Sequence, residues 1–379
     1  MKRYLFTPGP VPVPEEILLE MAKPIIHHRT AEFENIFAEA REGLKYVFQT
    51  KEEVFILASS GTGGMEGAVA NTLSSRDKAL VVNGGKFGER WMKICQAFGV
   101  EVHEIKVEWG NAVDPQHIEE ALKKDSSIRA VLVQASETST GVMHPVKDIA
   151  EITRQRDDVL LIVDGITAVG VFPIPFDEWG IDVLVGGSQK AFMLPPGLAF
   201  VAMSQKAWKF NEKSNLPKFY FDFKRYLKDA KNNTTPWTPA VTLIIGLAAV
   251  LRRFKEEGLE KIYTRHARLA HGTREGLKAI GLELFAKNSP SPALTAAFAP
   301  SGINAGAIIS RLRERFGMTL AGGQDQAKGK IFRISHMGFI DRADIIAVIS
   351  AIECVLKDLG YDFEFGAGTK RASEILGTE

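Results

Sequence analysis

Seven short runs rich in β-branched residues, punctuated by Gly, Ser or Asp, constrain the fold of this chain more than any other feature. They lie at 54–58, 79–82, 102–107, 130–134, 160–163, 183–185 and 198–203. Strands that are apolar on both faces belong to a mostly parallel sheet covered by helices on each side. Helical spacing at 64–73, 87–98 and 146–154 supplies the coverings. The expected fold is therefore α/β, with a seven-stranded, mostly parallel sheet in one large domain.

After residue 204 the pattern changes. Lys, Phe, Tyr and Asn dominate as far as 234–239, which holds two Thr-Pro pairs, so 205–240 reads as an irregular connector. Helical patterns follow at 241–254 and 260–280, then a strand at 294–299, a helix at 305–316, a strand at 331–335 and a last helix from Asp341, its N-cap, to 359. This predicts a smaller C-terminal α/β domain. The expected division is an arm at 1–20 packing near the active site, a large domain at 21–255, a small domain at 256–365 and a disordered polar tail at 366–379.

Composition removes several functions. The 47 basic and 46 acidic residues nearly cancel, and no basic stretch offers a phosphate backbone a binding track, so nucleic acid is not an expected partner. Cys95 and Cys354 form no CxxC pair and too small a set for a disulfide framework, which suits a cytoplasmic setting. Lys2 and Arg3 run into Pro8, Pro10, Pro12 and Pro14, so no signal-peptide core is expected there. The apolar run at 241–251 falls well short of a membrane span.

Chemistry concentrates at three strand ends. The run 160–163 delivers Asp164, where open α/β sheets bind ligands. Alone, such an Asp caps a following helix about as often. The run 183–185 leads through Gly186, Gly187, Ser188 and Gln189 to Lys190, which is followed by Ala-Phe-Met-Leu-Pro-Pro-Gly. Most lysines are solvated surface groups. In apolar surroundings, however, the charged form is disfavoured, and the neutral amine suits Schiff-base formation. The third element, Ser60-Gly61-Thr62-Gly63-Gly64-Met65-Glu66, has the small residues and hydroxyls of an anion cup at a helix N-terminus, without GxGxxG spacing or a GK[ST] ending. Together the cup, the Asp and the Lys meet the needs of pyridoxal 5′-phosphate (PLP): an anchored phosphate, a protonated ring nitrogen and an aldehyde bound as an imine.

These residues, with Thr7-Pro8-Gly9-Pro10, Glu137-Thr138-Ser139-Thr140-Gly141, Pro195-Pro196-Gly197 and Phe332-Arg333-Ile334, resemble the class V aminotransferases of PLP fold type I. The nearer likeness is to the alanine:glyoxylate and serine:glyoxylate branch. The resemblance implies that Ser60, Gly61, Thr62 and Gln189 bind the phosphate and that Thr138 lies near the ring hydroxyl. It also implies that Asp164 pairs with the ring nitrogen, and that Lys190 forms the internal aldimine and moves the proton between Cα and C4′. Arg333 would clamp the substrate carboxylate, and Gly9 would lie in the substrate site; an arginine on a strand otherwise serves a surface ion pair in about one case in four. Phe87 stands where such enzymes commonly place a stacking Trp. Thr238, rather than Thr235, would reach the phosphate of a partner subunit, which makes the enzyme a homodimer with shared sites. His28 and Arg29 are candidates for the substrate entrance, with a capping or surface role standing equally.

The expected reaction is ping-pong transfer from a small amino acid, alanine or serine, to a small 2-oxo acid, glyoxylate or pyruvate. Gln189 before Lys190, and Cys354 in the apolar stripe of the last helix, argue against cysteine desulfuration. Phosphoserine aminotransferase or another class V PLP lyase is the alternative on this fold. From a different class comes a non-catalytic subunit of a redox assembly, since some members of this branch carry a soluble-hydrogenase label. Two dispersed cysteines cannot by themselves ligate a nickel-iron centre or a cluster.

Overall fold

The computed structural model describes residues 2–377. All seven expected runs enter one sheet, in the order Val54–Leu57, Ala199–Met203, Val183–Gly187, Leu160–Asp164, Ile128–Gln134, Lys78–Asn83 and Glu101–Lys106. Ala199–Met203 is antiparallel to both of its neighbours, and the other pairings are parallel. Period-two alternation divides each central strand between two cores. Leu161 and Val163 join Val131, Val133 and Leu184 on one face, whereas Leu160 and Ile162 join Ala130, Leu132 and Val185 on the other. Helices cover both faces, so these side chains are buried; each Val, Leu and Ile among them contributes roughly 1.5–3 kcal/mol of transfer free energy.

A second, antiparallel sheet of Leu294–Phe298, Ile331–Ser335 and Ala321–Gly322 packs on Ala305–Phe316 and Arg342–Asp358 around its own core. Asp341 caps the latter helix through a capping box with Asp344, as its position predicts. The helix Leu259–Ala279 joins the two cores: Leu259, Ile262 and Tyr263 pack with the large sheet, Leu269 and Leu277 with the small one.

Three expectations need correction. The connector contains two helices, Gln205–Lys213 and Phe223–Ala230, started by the side chains of Ser204 and Asp222, which accept from Ala207 N and Lys224 N. The expected disordered tail forms the helix Ala367–Gly377; residues 378–379 lie outside the described residues. Its order has a physical cause. Buried Glu353 accepts from Gly366 N (3.1 Å), Gly368 N (2.9 Å) and Thr369 Oγ1, and so satisfies the helix start. Gly272 and Gly276 let the helix approach, since a Cβ at Gly272 would lie 2.7 Å from Leu376 Cγ. The buried stripe of Arg342–Asp358 accordingly includes Glu353, and Cys354 sits half-buried at its margin.

Candidate active site

Asp164 ends its strand in register with Gln134 on one side and Val185 on the other. Its buried carboxylate accepts one hydrogen bond, from Ile166 N at 2.9 Å. Burial pushes its pKa up to about 6; the Ile166 N–H opposes this, Glu137 adds to it, and Arg90 and Lys190 oppose it. The carboxyl is therefore poised to ionise beside a cation.

The loop after Val183–Gly187 is fixed by Ser188, whose hydroxyl donates to Pro195 O (2.8 Å) and accepts from Leu198 N (3.1 Å). It presents Lys190 as a buried amine that donates to Pro8 O. The N-terminal arm makes this possible at Gly9: with φ +141°, and with Lys190 Nζ occupying the space a Cβ would need, the position accepts only glycine. Burial lowers the Lys190 pKa to about 8; Asp164 pulls it up, while Arg333 and Arg90 push it down. A neutral amine is thus accessible near neutral pH.

Ser60 is the N-cap of Gly61–Thr72, yet its hydroxyl makes no capping bond. The helix start leaves N–H groups without intrahelical partners. A Cβ at Gly61 would strike the Ile166 side chain, so the glycine brings the cup against the segment after Asp164. Gln189 Oε1 is buried without a hydrogen-bond partner, and it lies 3.5 Å from where a Gly187 Cβ would be. Its amide therefore has hydrogen-bonding capacity left for a ligand.

On the opposite side Thr138 Oγ1 shares a hydrogen bond with Thr167 Oγ1 (2.9 Å), and Thr138 O accepts from Arg333 Nη1 (2.8 Å). Arg333 also donates from Nε (3.0 Å) and Nη2 (2.7 Å) to Gly322 O. It is buried and, among the described residues, has no carboxylate at ion-pair distance. Burial lowers its pKa to about 10, and Glu137 opposes this. A buried guanidinium held by carbonyls alone suits an incoming carboxylate.

Phe87 is half-buried on Lys86–Ala97. The residue that places it, Glu137, was quoted in the sequence motif without a role. Its buried carboxylate accepts from Phe87 N (3.1 Å), Gly88 N (3.1 Å), Gln134 Nε2 (2.9 Å) and Ser139 Oγ (2.5 Å). Sequence reasoning also missed Arg90, whose charge reaches both Asp164 and Lys190. Its place one turn after Phe87 was the available signal.

Contacts join Gly9 to Lys190, Thr138 to Arg333 and to Thr167 just after Asp164, and the cup at Gly61 to Ile166. No hydrogen bond of the described residues joins Thr238 to this cup. Thr238 is exposed, whereas Thr235 is buried and donates to Trp237 O (2.7 Å). His28 is half-buried beside His27, with ring centroids 4.7 Å apart, and Arg29 donates to Thr234 Oγ1 (2.6 Å). Free donors at the cup, a buried carboxyl and a buried amine fit a phosphorylated pyridine aldehyde.

The family model "Aminotransferase class-V" matches residues 3–348. A Synechococcus sp. (strain PCC 6716) protein named "Soluble hydrogenase, small subunit" is 46% identical, over 100% of this chain and 99% of its own length. An L-aspartate–glyoxylate aminotransferase of Paracoccus denitrificans is 40% identical, covering 98% and 95%. A serine–glyoxylate aminotransferase of Hyphomicrobium methylovorum is 37% identical, covering 98% and 94%. Among solved structures, the ureidoglycine-glyoxylate aminotransferase of Bacillus subtilis superposes with a TM-score of 0.93 at 30% identity, over 100% of this chain and 99% of that one.

Proposed function

The chain belongs to the class V aminotransferases, PLP-dependent transferases of amino groups, and from that premise we propose that it moves the amino group of a small amino acid, alanine or serine, to glyoxylate or pyruvate. The observation that carries the reading is a buried amine, Lys190, close enough to a buried carboxyl, Asp164, and to a guanidinium without a carboxylate, Arg333, to feel both charges. When bound, PLP supplies an electron sink that acidifies the amino acid's Cα–H and carries the amino group between half-reactions.

Ser60, the Gly61 backbone, Thr62 through its backbone and hydroxyl, and Gln189 would hold the phosphate. Asp164 keeps the ring nitrogen protonated, and Phe87 stacks on the ring. Lys190 would be the covalent anchor and, once freed by the amino acid, its Nζ would take up and return the amino acid's Cα proton. Arg333 would grip the α-carboxylate and so fix how the amino acid's Cα–H bond is presented to the Lys190 amine. Thr138 would stand near the ring hydroxyl, and Gly9, whose bare Cα leaves room for the Lys190 amine, would line the substrate site beside it. Exposed Leu19, Ile25 and Phe219, at 70%, 72% and 63%, support a homodimer in which Thr238 reaches the partner's phosphate.

The test is a set of half-reactions. Each of alanine, serine, aspartate and phosphoserine is mixed with the loaded enzyme, and loss of the cofactor's visible band is followed. Alanine or serine should bleach it fastest, and glyoxylate or pyruvate should restore it. Bleaching by phosphoserine alone would move the assignment to that alternative.

The relative named as a hydrogenase subunit favours a second reading, a non-catalytic subunit. Among the described residues no group of three or more His, Cys, Asp or Glu is arranged to hold a metal ion. A complete set of Asp164, Lys190 and Arg333 has no use in a scaffold. Purification with metal-containing partners and without PLP would support the subunit.

A further inference from the structure

We propose that Arg90 is a positioning residue of the cofactor site: its guanidinium backs the Phe87 platform and turns the Thr62 hydroxyl toward the phosphate. The inference rests on the reading of Phe87 and Thr62 given above.

Two contacts define the role. Arg90 Nη1 donates to Thr62 Oγ1 at 3.1 Å. An arginine has donors and no acceptor, so the hydroxyl oxygen accepts and its own proton is left for another acceptor. At the mouth of the cup that acceptor is the phosphate. The same guanidinium lies over Phe87, its Cζ 4.7 Å from the ring centroid. Phe87 and Arg90 stand three residues apart on Lys86–Ala97, so they share a helix face, and one side of the ring is covered while the other is left for a ligand.

The surroundings keep Arg90 from an ion pair. The adjacent Glu89 is engaged by Lys86 and Lys93, and among the described residues no carboxylate pairs with Arg90. Its charge instead faces the cleft, where it acts on Asp164 and Lys190. The platform is thus fixed twice: Glu137 holds the start of the helix through Phe87 N and Gly88 N, and Arg90 braces the ring one turn later. A phenyl ring is smaller than an indole, and the planar guanidinium supplies the rigidity that its smaller contact area lacks.

The test measures PLP binding to apoenzyme, with Arg90→Met, Arg90→Lys, Thr62→Val and the Arg90→Met/Thr62→Val double variant. Arg90→Met should raise the PLP dissociation constant about tenfold, equivalent to about 1.4 kcal/mol. Arg90→Lys should recover less than half of that on the logarithmic scale, because it restores charge without the plane. The visible circular dichroism of bound PLP should change in both, while melting of the apoproteins stays as in wild type. The double variant should bind PLP more weakly than either single variant, but by less than the sum of the two separate losses, because the Thr62 contact is shared while the Phe87 brace is not. Fully additive losses, or wild-type PLP affinity in Arg90→Met, would overturn the proposal. Wild-type protein that fails to bind PLP would instead overturn the functional reading on which it rests.

Discussion

Asp164 and Glu353 are both buried carboxylates, and they live in opposite conditions. Glu353 sits in the core of the small sheet's helices and accepts from two backbone N–H groups and a hydroxyl. Asp164 sits at the carboxyl edge of the large sheet and accepts from Ile166 N alone, with its pKa pushed up to about 6 by burial. The contrast separates structure from chemistry. Where the chain satisfies a buried charge completely, the charge fastens one element to another; where it leaves the charge short of donors, a ligand completes the set. The arginines repeat the lesson. Arg41, paired with Glu53 through two donors at 2.6 Å, ties helix to strand, and buried Arg333 holds only carbonyls.

Four experiments can break or sharpen this division. The largest effect is expected for Lys190→Ala, which should lower turnover at least about a thousandfold while leaving the melting temperature of the apoprotein unchanged or higher, since a buried amine is removed. Arg333→Lys keeps the charge and loses the fork; kcat/KM for the amino donor should fall about a hundredfold, read by steady-state kinetics. A fall confined to stability would place Arg333 with the structural arginines.

The third experiment is pH dependence of PLP capture by apoenzyme. Protonated Lys190 cannot attack an aldehyde, so the depressed pKa of about 8 makes capture rise with pH and level above about 8. Stopped-flow absorbance should show roughly a fiftyfold gain from pH 6 to pH 8. In Asp164→Asn the amine loses a neighbouring anion that raises its pKa, so the plateau should begin at lower pH. A flat profile would contradict the assignment of these two groups. Last, Glu353→Ala should cost about 2 kcal/mol of stability by denaturant unfolding, with kcat/KM retained at low temperature. Loss of catalysis without loss of stability would erase the distinction drawn from the two carboxylates.

The sequence carried the large sheet clearly because its central strands are apolar on both faces and sharply punctuated, and Asp164 and Lys190 were legible as polar groups placed just past such runs. The connector helices were harder to read. Gln205–Lys213 and Phe223–Ala230 are short and polar, though Ser204 and Asp222 offered N-cap signals. The terminal helix was hidden for a different reason, since its order depends on Glu353, a tertiary partner 14 residues before Ala367 and on another helix. Glu137 and Arg90 were likewise hard to read in function: a Glu in the two-residue strand Ser136–Glu137 and an Arg on a helix gain their full meaning only when the fold brings them to Phe87 and Thr62.

The central claim, that Lys190 is the group that holds PLP, is tested most directly by borohydride reduction of the loaded protein, followed by proteolysis and mass spectrometry. The account predicts a single phosphopyridoxyl label on the peptide containing Lys190, absent in Lys190→Ala. A label on another lysine, or no label at full PLP occupancy, would contradict it.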